Sequence, residues 1–220
     1  MKRNLLLTFG IILTVLILDQ TLKIWVKTHM QQGDEFLLLG QSWARIHFIE
    51  NEGMAFGLSL GGATGKLLLS TFRILAIGFL GYLLAGMIRH RERVGMVISF
   101  ALILAGAIGN MIDSAFYGMI FSNSSYHGGL AELFPPDGGY APFLMGRVVD
   151  MFYFPMVEST FPTWFPVWGG EEFEFFRHIF NVADSSIFCG IVLFFVFYRG
   201  RHPHKAEVDH HGEGSSEATL

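Results

Sequence analysis

Four apolar runs, at about 5–26, 67–88, 94–117 and 179–198, divide the chain, and each approaches the roughly 20 residues that a helix needs to cross a bilayer. The first follows Lys2 and Arg3 as a secretory signal would. It is long, however, and no small-x-small cleavage motif follows it, so it reads as a retained helix. Basic residues gather at one end of every run: Lys2 and Arg3, then Arg89, Arg91 and Arg93 between the second and third, then Arg199, Arg201 and Lys205 after the fourth. The intervening segments 27–66 and 118–178 hold eleven Asp and Glu. By the positive-inside rule this predicts an all-α membrane protein of four transmembrane helices with both termini inside.

Between the runs the pattern changes. Residues 44–50 partly alternate as a strand does, and a Gly-rich turn region spans 53–65, so a small β-containing outer (periplasmic) subdomain is expected. The second outer loop is enlarged: 122–139 is polar and turn-rich, whereas 152–176 carries ten aromatics, fit either for the membrane interface or for packing within the outer subdomain. The single membrane domain is expected to cover 1–199, and the polar tail 200–220, with His202, His204, His210 and His211, is expected to be disordered.

Composition agrees, since 51% hydrophobic and 15% charged residues are too apolar a mixture for an ordinary soluble domain. A net charge of -4, segregated along the chain, gives no basic surface for nucleic acid. The one cysteine, Cys189, excludes an intrachain disulfide and a Cys-rich metal site, and burial statistics predict a helix-packing thiol. No internal repeat of the transporter kind is present.

Against this background, charged residues at membrane depth carry the information. At a rise of about 1.5 Å per residue, Asp19, Asn110, Asp113 and Asp184 all fall at one level, roughly 21 to 28 Å above the inner boundary. Asp19 and Lys23 stand at i and i+4 and can neutralise each other, and Asn110 and Asp113 share a face beside small residues that permit close helix approach. Asp150, ahead of the fourth helix, can reach the same level. Two carboxylates sharing an apolar site cannot both ionise cheaply, so one keeps its proton while the other activates water.

Five blocks, in order, resemble those of the lipoprotein signal peptidases, the bacterial signal peptidase II family. They are Asp19-Gln20-Thr21-Leu22-Lys23, Asn51-Glu52-Gly53-Met54-Ala55-Phe56-Gly57, Gly106 to Asp113, Val148-Val149-Asp150, and Phe180-Asn181-Val182-Ala183-Asp184-Ser185. The resemblance implies an aspartic endopeptidase of the bacterial inner membrane, monomeric and without cofactor or metal, with its active site near the outer leaflet. Its partners would be membrane lipid and lipidated prolipoproteins, cut on the amino side of the diacylglyceryl-modified cysteine. It further implies Asp150 and Asp184 as catalytic residues, and Asn51, Gly53, Asn110, Asn181, Asp19, Lys23 and Asp113 around the substrate. The family usually carries Arg directly after the third-helix Asp, where this chain has Ser114. Arg147 is a candidate replacement, or else an interfacial anchor.

Two other classes compete. A transporter or proton relay would string Asp19, Asp113, Asp150 and Asp184 across the whole membrane, whereas here they gather at one side. A non-catalytic assembly factor would account for the helices but not for the two Asp blocks.

Overall fold

The computed structural model describes residues 1–52, 62–155, 157–160, 162–175 and 178–199. Gly53, the rest of residues 53–61 and the His-containing segment 200–220 lie outside the described residues. Four helices are long and apolar enough to cross a membrane: α1 (Lys2–His29), α2 (Gly62–Arg89), α3 (Val94–Ile120) and α4 (Val182–Arg199). α1 and α2 outrun their apolar stretches at both ends. α4 instead starts three residues later than its run, because Ile179–Phe180 pair with a strand and Asn181 takes the capping position.

α3 is the central helix. More than half of its most apolar window is buried inside the protein (56%), against 11%, 11% and 17% for α1, α2 and α4, whose remaining surface is left to lipid. Small residues let α4 approach it closely: a Cβ on Gly106 would stand 2.2 Å from the Ala183 carbonyl oxygen, and one on Gly190 would stand 2.7 Å from that of Ser99. Two hydroxyls close the seam, Ser99 donating to Gly190 O at 2.7 Å and Ser186 to Leu102 O at 2.8 Å. Cys189 lies off this stripe and is exposed, contrary to expectation, because α4 buries Ala183, Ser186 and Gly190 while residue 189 turns to another face.

At the basic end, Met1, Arg3 and Asn4 line one cleft with Arg91, Glu92, Arg93 and Val94, so the chain start meets the α2–α3 turn. The other end carries an antiparallel sheet in the order β1-β2-β3-β6, made of β1 (Glu35–Leu37), β2 (Arg45–Asn51), β3 (Val148–Tyr153) and β6 (Ile179–Phe180). β4 (Val157–Thr160) and β5 (Glu172–Phe175) form a separate two-stranded ribbon. Ile46 and Phe48 of β2 and Val149 and Met151 of β3 join Val26, Met30, Tyr117 and Phe121 in one core. Period-two alternation then turns Asp150, between Val149 and Met151, to the opposite face. The aromatic-rich segment divides: Phe152, Phe154 and Phe180 pack together, while Trp164 and Trp168 are exposed.

The last part of α3 opens into a π-helical turn at Asp113–Tyr117, which leaves carbonyls without their usual α-helical partners. The strap ahead of β3 supplies donors: Gly146 N–H reaches Ser114 O at 2.9 Å, Leu144 N–H reaches Ala115 O at 3.3 Å and Ala141 N–H reaches Gly118 O at 2.9 Å. Gly146 has no room for a side chain, since a Cβ would stand 2.2 Å from Asp113 O. Gly106→Ala and Gly146→Ala should therefore each destabilise the protein by about 1–3 kcal/mol through overpacking. Gly10→Ala, where a Cβ meets nothing within 4 Å, should not destabilise it. Thermal unfolding of the three variants in detergent checks this.

Candidate active site

Lys23 of α1 has no exposed side-chain surface, yet its ammonium spends all three donors. It meets Asp19 Oδ2 at 2.9 Å, Asp113 Oδ2 at 2.8 Å and Asn110 Oδ1 at 3.0 Å. The neighbouring Gln20 amide donates to Asp113 Oδ1 at 2.9 Å and Asp19 Oδ2 at 3.1 Å, and accepts the Tyr117 hydroxyl at 3.2 Å. Both acids continue outward. Asp19 Oδ1 accepts Ala183 N–H at the start of α4 (2.9 Å), and Asp113 Oδ2 accepts Val149 N–H of β3 (3.3 Å). One ion cluster thus holds α1, α3, α4 and β3 in register, as a charge removed from water must when every oxygen needs a donor.

Above the cluster lie Asp184 and Asp150. Asn181 and Asp184 form a reciprocal cap on α4: Asp184 N–H donates to Asn181 Oδ1 at 2.9 Å, and Asn181 N–H donates to Asp184 Oδ2 at 3.3 Å. The other Asp184 oxygen accepts Asn110 Nδ2 at 2.8 Å. The Asn181 amide nitrogen then bridges the two halves, donating to Asp150 Oδ1 at 2.7 Å and to Asn110 Oδ1 at 3.1 Å. Asn51, at the end of β2, donates to Asp150 Oδ2. Burial pushes the Asp150 carboxyl up, and the charge of Asp184 adds to it; together they outweigh Lys23 and the Asn181 hydrogen bond, leaving Asp150 at about 8. Near neutrality, Asp150 therefore carries a proton at the edge of an array rich in N–H donors.

Asp19, Lys23, Asn51, Asn110, Asp113, Asp150, Asn181 and Asp184 are all parts of this one connected array. Arg147 is set apart from it. Its guanidinium donates to Asn123 Oδ1 at 2.9 Å and Glu50 Oε2 at 3.3 Å and lies over the Tyr140 ring. The guanidinium that reaches Ser114 is instead that of Arg73 on α2, 3.2 Å from Ser114 Oγ. In the sequence Arg73 falls inside the apolar run 67–88, where a lone arginine at membrane depth is itself a signal. Gln20 was likewise read only as part of a block.

A family model described as "Signal peptidase (SPase) II" matches residues 11–199. The chain belongs to the signal peptidase II family. It is 54% identical over 190 residues to "Lipoprotein signal peptidase" of Porphyromonas gingivalis, covering 86% of this chain and 81% of that one. It is 33% identical to the protein of the same name from Amoebophilus asiaticus, over 84% of this chain and 74% of that one. Among solved structures, "Bacterial membrane enzyme structure by the in meso method at 2.3 A resolution" covers 92% of this chain and 93% of its own, with a TM-score of 0.57 and 22% identity, a likeness of fold. As a member of the signal peptidase II family the chain is a multi-pass membrane protease.

The signal peptidase II match spans every residue of the connected array, so the ion cluster beneath the two acids can be tested as part of one unit. Lys23→Met leaves Asp19 and Asp113 buried without their cation and should cost about 3–5 kcal/mol. A melting temperature in detergent far below that of wild type, with Lys2→Met unchanged, is the expected result.

Proposed function

We propose that the chain is an aspartic endopeptidase that removes the signal peptide from diacylglyceryl-modified prolipoproteins, cutting on the amino side of the lipidated cysteine. Asp150 acts as acid and Asp184 as base. One observation carries this reading: two acids from separate blocks meet through Asn181 and Asn110, and Asp150 keeps its proton up to about pH 8. The names of the relatives support the substrate class.

The chemistry balances with water alone. Asp184 takes a proton from water as the oxygen attacks the scissile carbonyl carbon, and Asp150 gives its proton to the carbonyl oxygen, forming a tetrahedral diol. Asp184 then returns its proton to the amide nitrogen while Asp150 recovers one from a diol hydroxyl, and the C–N bond breaks. The two groups end as they began. Asn181 and Asn110 hold the acids at fixed separation, and Asn51 presents Asp150 from the β2 side; together with Gly53, these residues would border the substrate backbone. Asp19, Lys23 and Asp113 support that geometry, and no cofactor enters the scheme.

In this reading both termini face the cytoplasm of a bacterial inner membrane, a single chain suffices, and the sheet end stands at the outer leaflet, where a lipid-anchored precursor presents its cleavage site. A proton relay fits less well, because the array stops on one side: the described part of α1 below Asp19 holds no ionisable group until Arg3 and Lys2.

Asp150→Asn and Asp184→Asn should each abolish cleavage of a lipidated precursor peptide by the purified protein while melting temperature and membrane insertion stay close to wild type. Near-normal turnover by either variant removes the dyad from the mechanism. Because the Asp150 pKa is raised, the competent form holds its proton below about pH 8 and loses it above, so turnover should fall with a one-proton slope as pH rises through that value. A rate that stays level up to pH 10, on the order of a hundredfold beyond that titration, would contradict the assignment of Asp150 as the acid.

A further inference from the structure

At the end of the helices opposite the sheet, the start of α1 and the α2–α3 turn enclose an open cleft of about 480 Å3. Arg3 and Asn4 line it from α1, and Arg91, Glu92, Arg93 and Val94 line it from the turn and the start of α3. Three arginines thus border one space with a single carboxylate. Glu92 and Arg93 have partners of their own. Arg3 and Arg91 have neither a carboxylate nor a hydrogen-bond partner among the described residues.

The backbone of the turn favours glycine where Arg91 stands. α2 closes in a Schellman motif, with Glu92 N–H reaching Met87 O at 2.9 Å and Arg91 N–H reaching Ile88 O at 3.3 Å, and Arg91 takes its left-handed position at a φ of 55°. Glycine ordinarily fills that place, because a Cβ is crowded there. The guanidinium is therefore kept at a conformational cost. Arg3 stands against a second preference. It lies in the first turn of α1, and neither α1 nor α3 has an acidic residue in its first turn or a side-chain cap, so the positive ends of two helix dipoles add to the charge of the arginines. Arg89, in the last turn of α2, stands by contrast where the dipole favours a cation. The charge left unbalanced at the cleft calls for an anion.

We propose that this cleft binds the phosphate of an anionic phospholipid, gripped by Arg3 from α1 and by Arg91 from the α2–α3 turn. The guanidinium fork matches phosphate oxygens, and two forks from separate elements hold one phosphate from two sides. Depth identifies the source of that phosphate. Leu5 and Leu6, 57% and 71% exposed, directly follow Asn4, so the lipid-facing surface of α1 begins at the edge of the cleft. Headgroup phosphates lie at that boundary, and basic pockets between membrane helices are suited to them. A bound lipid ties the start of α1 to the α2–α3 turn. The site is independent of which residues hydrolyse the substrate, since the acids lie at the sheet end.

The test is thermal unfolding of the delipidated full-length protein in neutral detergent, titrated with dioleoyl phosphatidylglycerol, with dioleoyl phosphatidylcholine or with inorganic phosphate. Phosphatidylglycerol should raise Tm in a saturable manner, and the other two at equal concentration should raise it little. Arg91→Gly, which relieves the left-handed arginine and so keeps the fold, should raise the lipid concentration for the half-maximal shift by about tenfold or more, the loss of a charge-assisted contact. Arg3→Ala should do the same. Arg199→Ala removes an equal charge from the same end of the protein but lies outside the cleft, and should leave the titration unchanged. Equal losses in Arg199→Ala and Arg91→Gly would show unspecific attraction to a basic surface and overturn the proposal. A wild-type Tm that phosphatidylglycerol does not raise would overturn it too, as would phosphatidylcholine that matches it. Inorganic phosphate that matches the lipid at equal concentration would make the occupant a soluble anion and overturn the lipid assignment.

Discussion

Everything at the sheet end of this protein depends on one buried ammonium. Lys23 lies among Asp19, Asp113 and Asn110 with no exposed surface, and each of its three donors has an acceptor. Charges at membrane depth persist only when desolvation is offset by such complete satisfaction. That requirement has geometric consequences. Asp19 cannot satisfy its second oxygen without the N–H of Ala183, which sets where α4 begins, and Asp113 calls on the N–H of Val149, which sets where β3 passes. With the start of α4 and the path of β3 fixed, Asp184 and Asp150 have little freedom in where they stand.

A second buried network repeats the logic one layer out. Lys27 lies one turn beyond Lys23 on α1, pairs with Glu50 of β2 and donates to Ser124 Oγ at 2.7 Å. Tyr140 lies between it and Arg147, with the two cations each 5.1 Å from its ring centroid. The segment between α3 and β3 is thereby joined to α1 and to the sheet, and its stretch from Ala141 to Gly146 closes the carbonyls that the π-turn frees. That segment is part of the support for β3, and through β3 for Asp150.

The four helices and the array of acids were legible because membrane depth makes polar residues conspicuous: Asp19, Asn110, Asp113 and Asp184 could be placed at one level from helical rise alone. The strand at β2 was visible through its alternation. The start of α4 was not, because Ile179 and Phe180 are as apolar as the helix that follows and only pairing with β3 removes them from it. Nor was the π-turn, whose residues Asp113–Tyr117 would suit an α-helix; the strap that rewards the wider turn, Ala141 to Gly146, comes from far downstream in the chain. Arg73 was hidden by averaging, since one charge barely lowers the hydropathy of a 28-residue helix. Arg147 drew attention by its nearness to Asp150 in sequence, but it stands just ahead of β3, and its side chain turns to Glu50 and Asn123.

The central claim is that burial and Asp184 keep one proton on Asp150 at neutral pH, giving an acid and a base from two identical side chains. Infrared difference spectroscopy of wild type against Asp150→Asn, with aspartate carbon-13 labelled, reads this proton directly. A protonated-carboxyl band that is present at pH 7, absent in the variant and lost with a midpoint near 8 is the predicted result. A wild-type spectrum showing only ionised carboxylates at that position at pH 7 would contradict it.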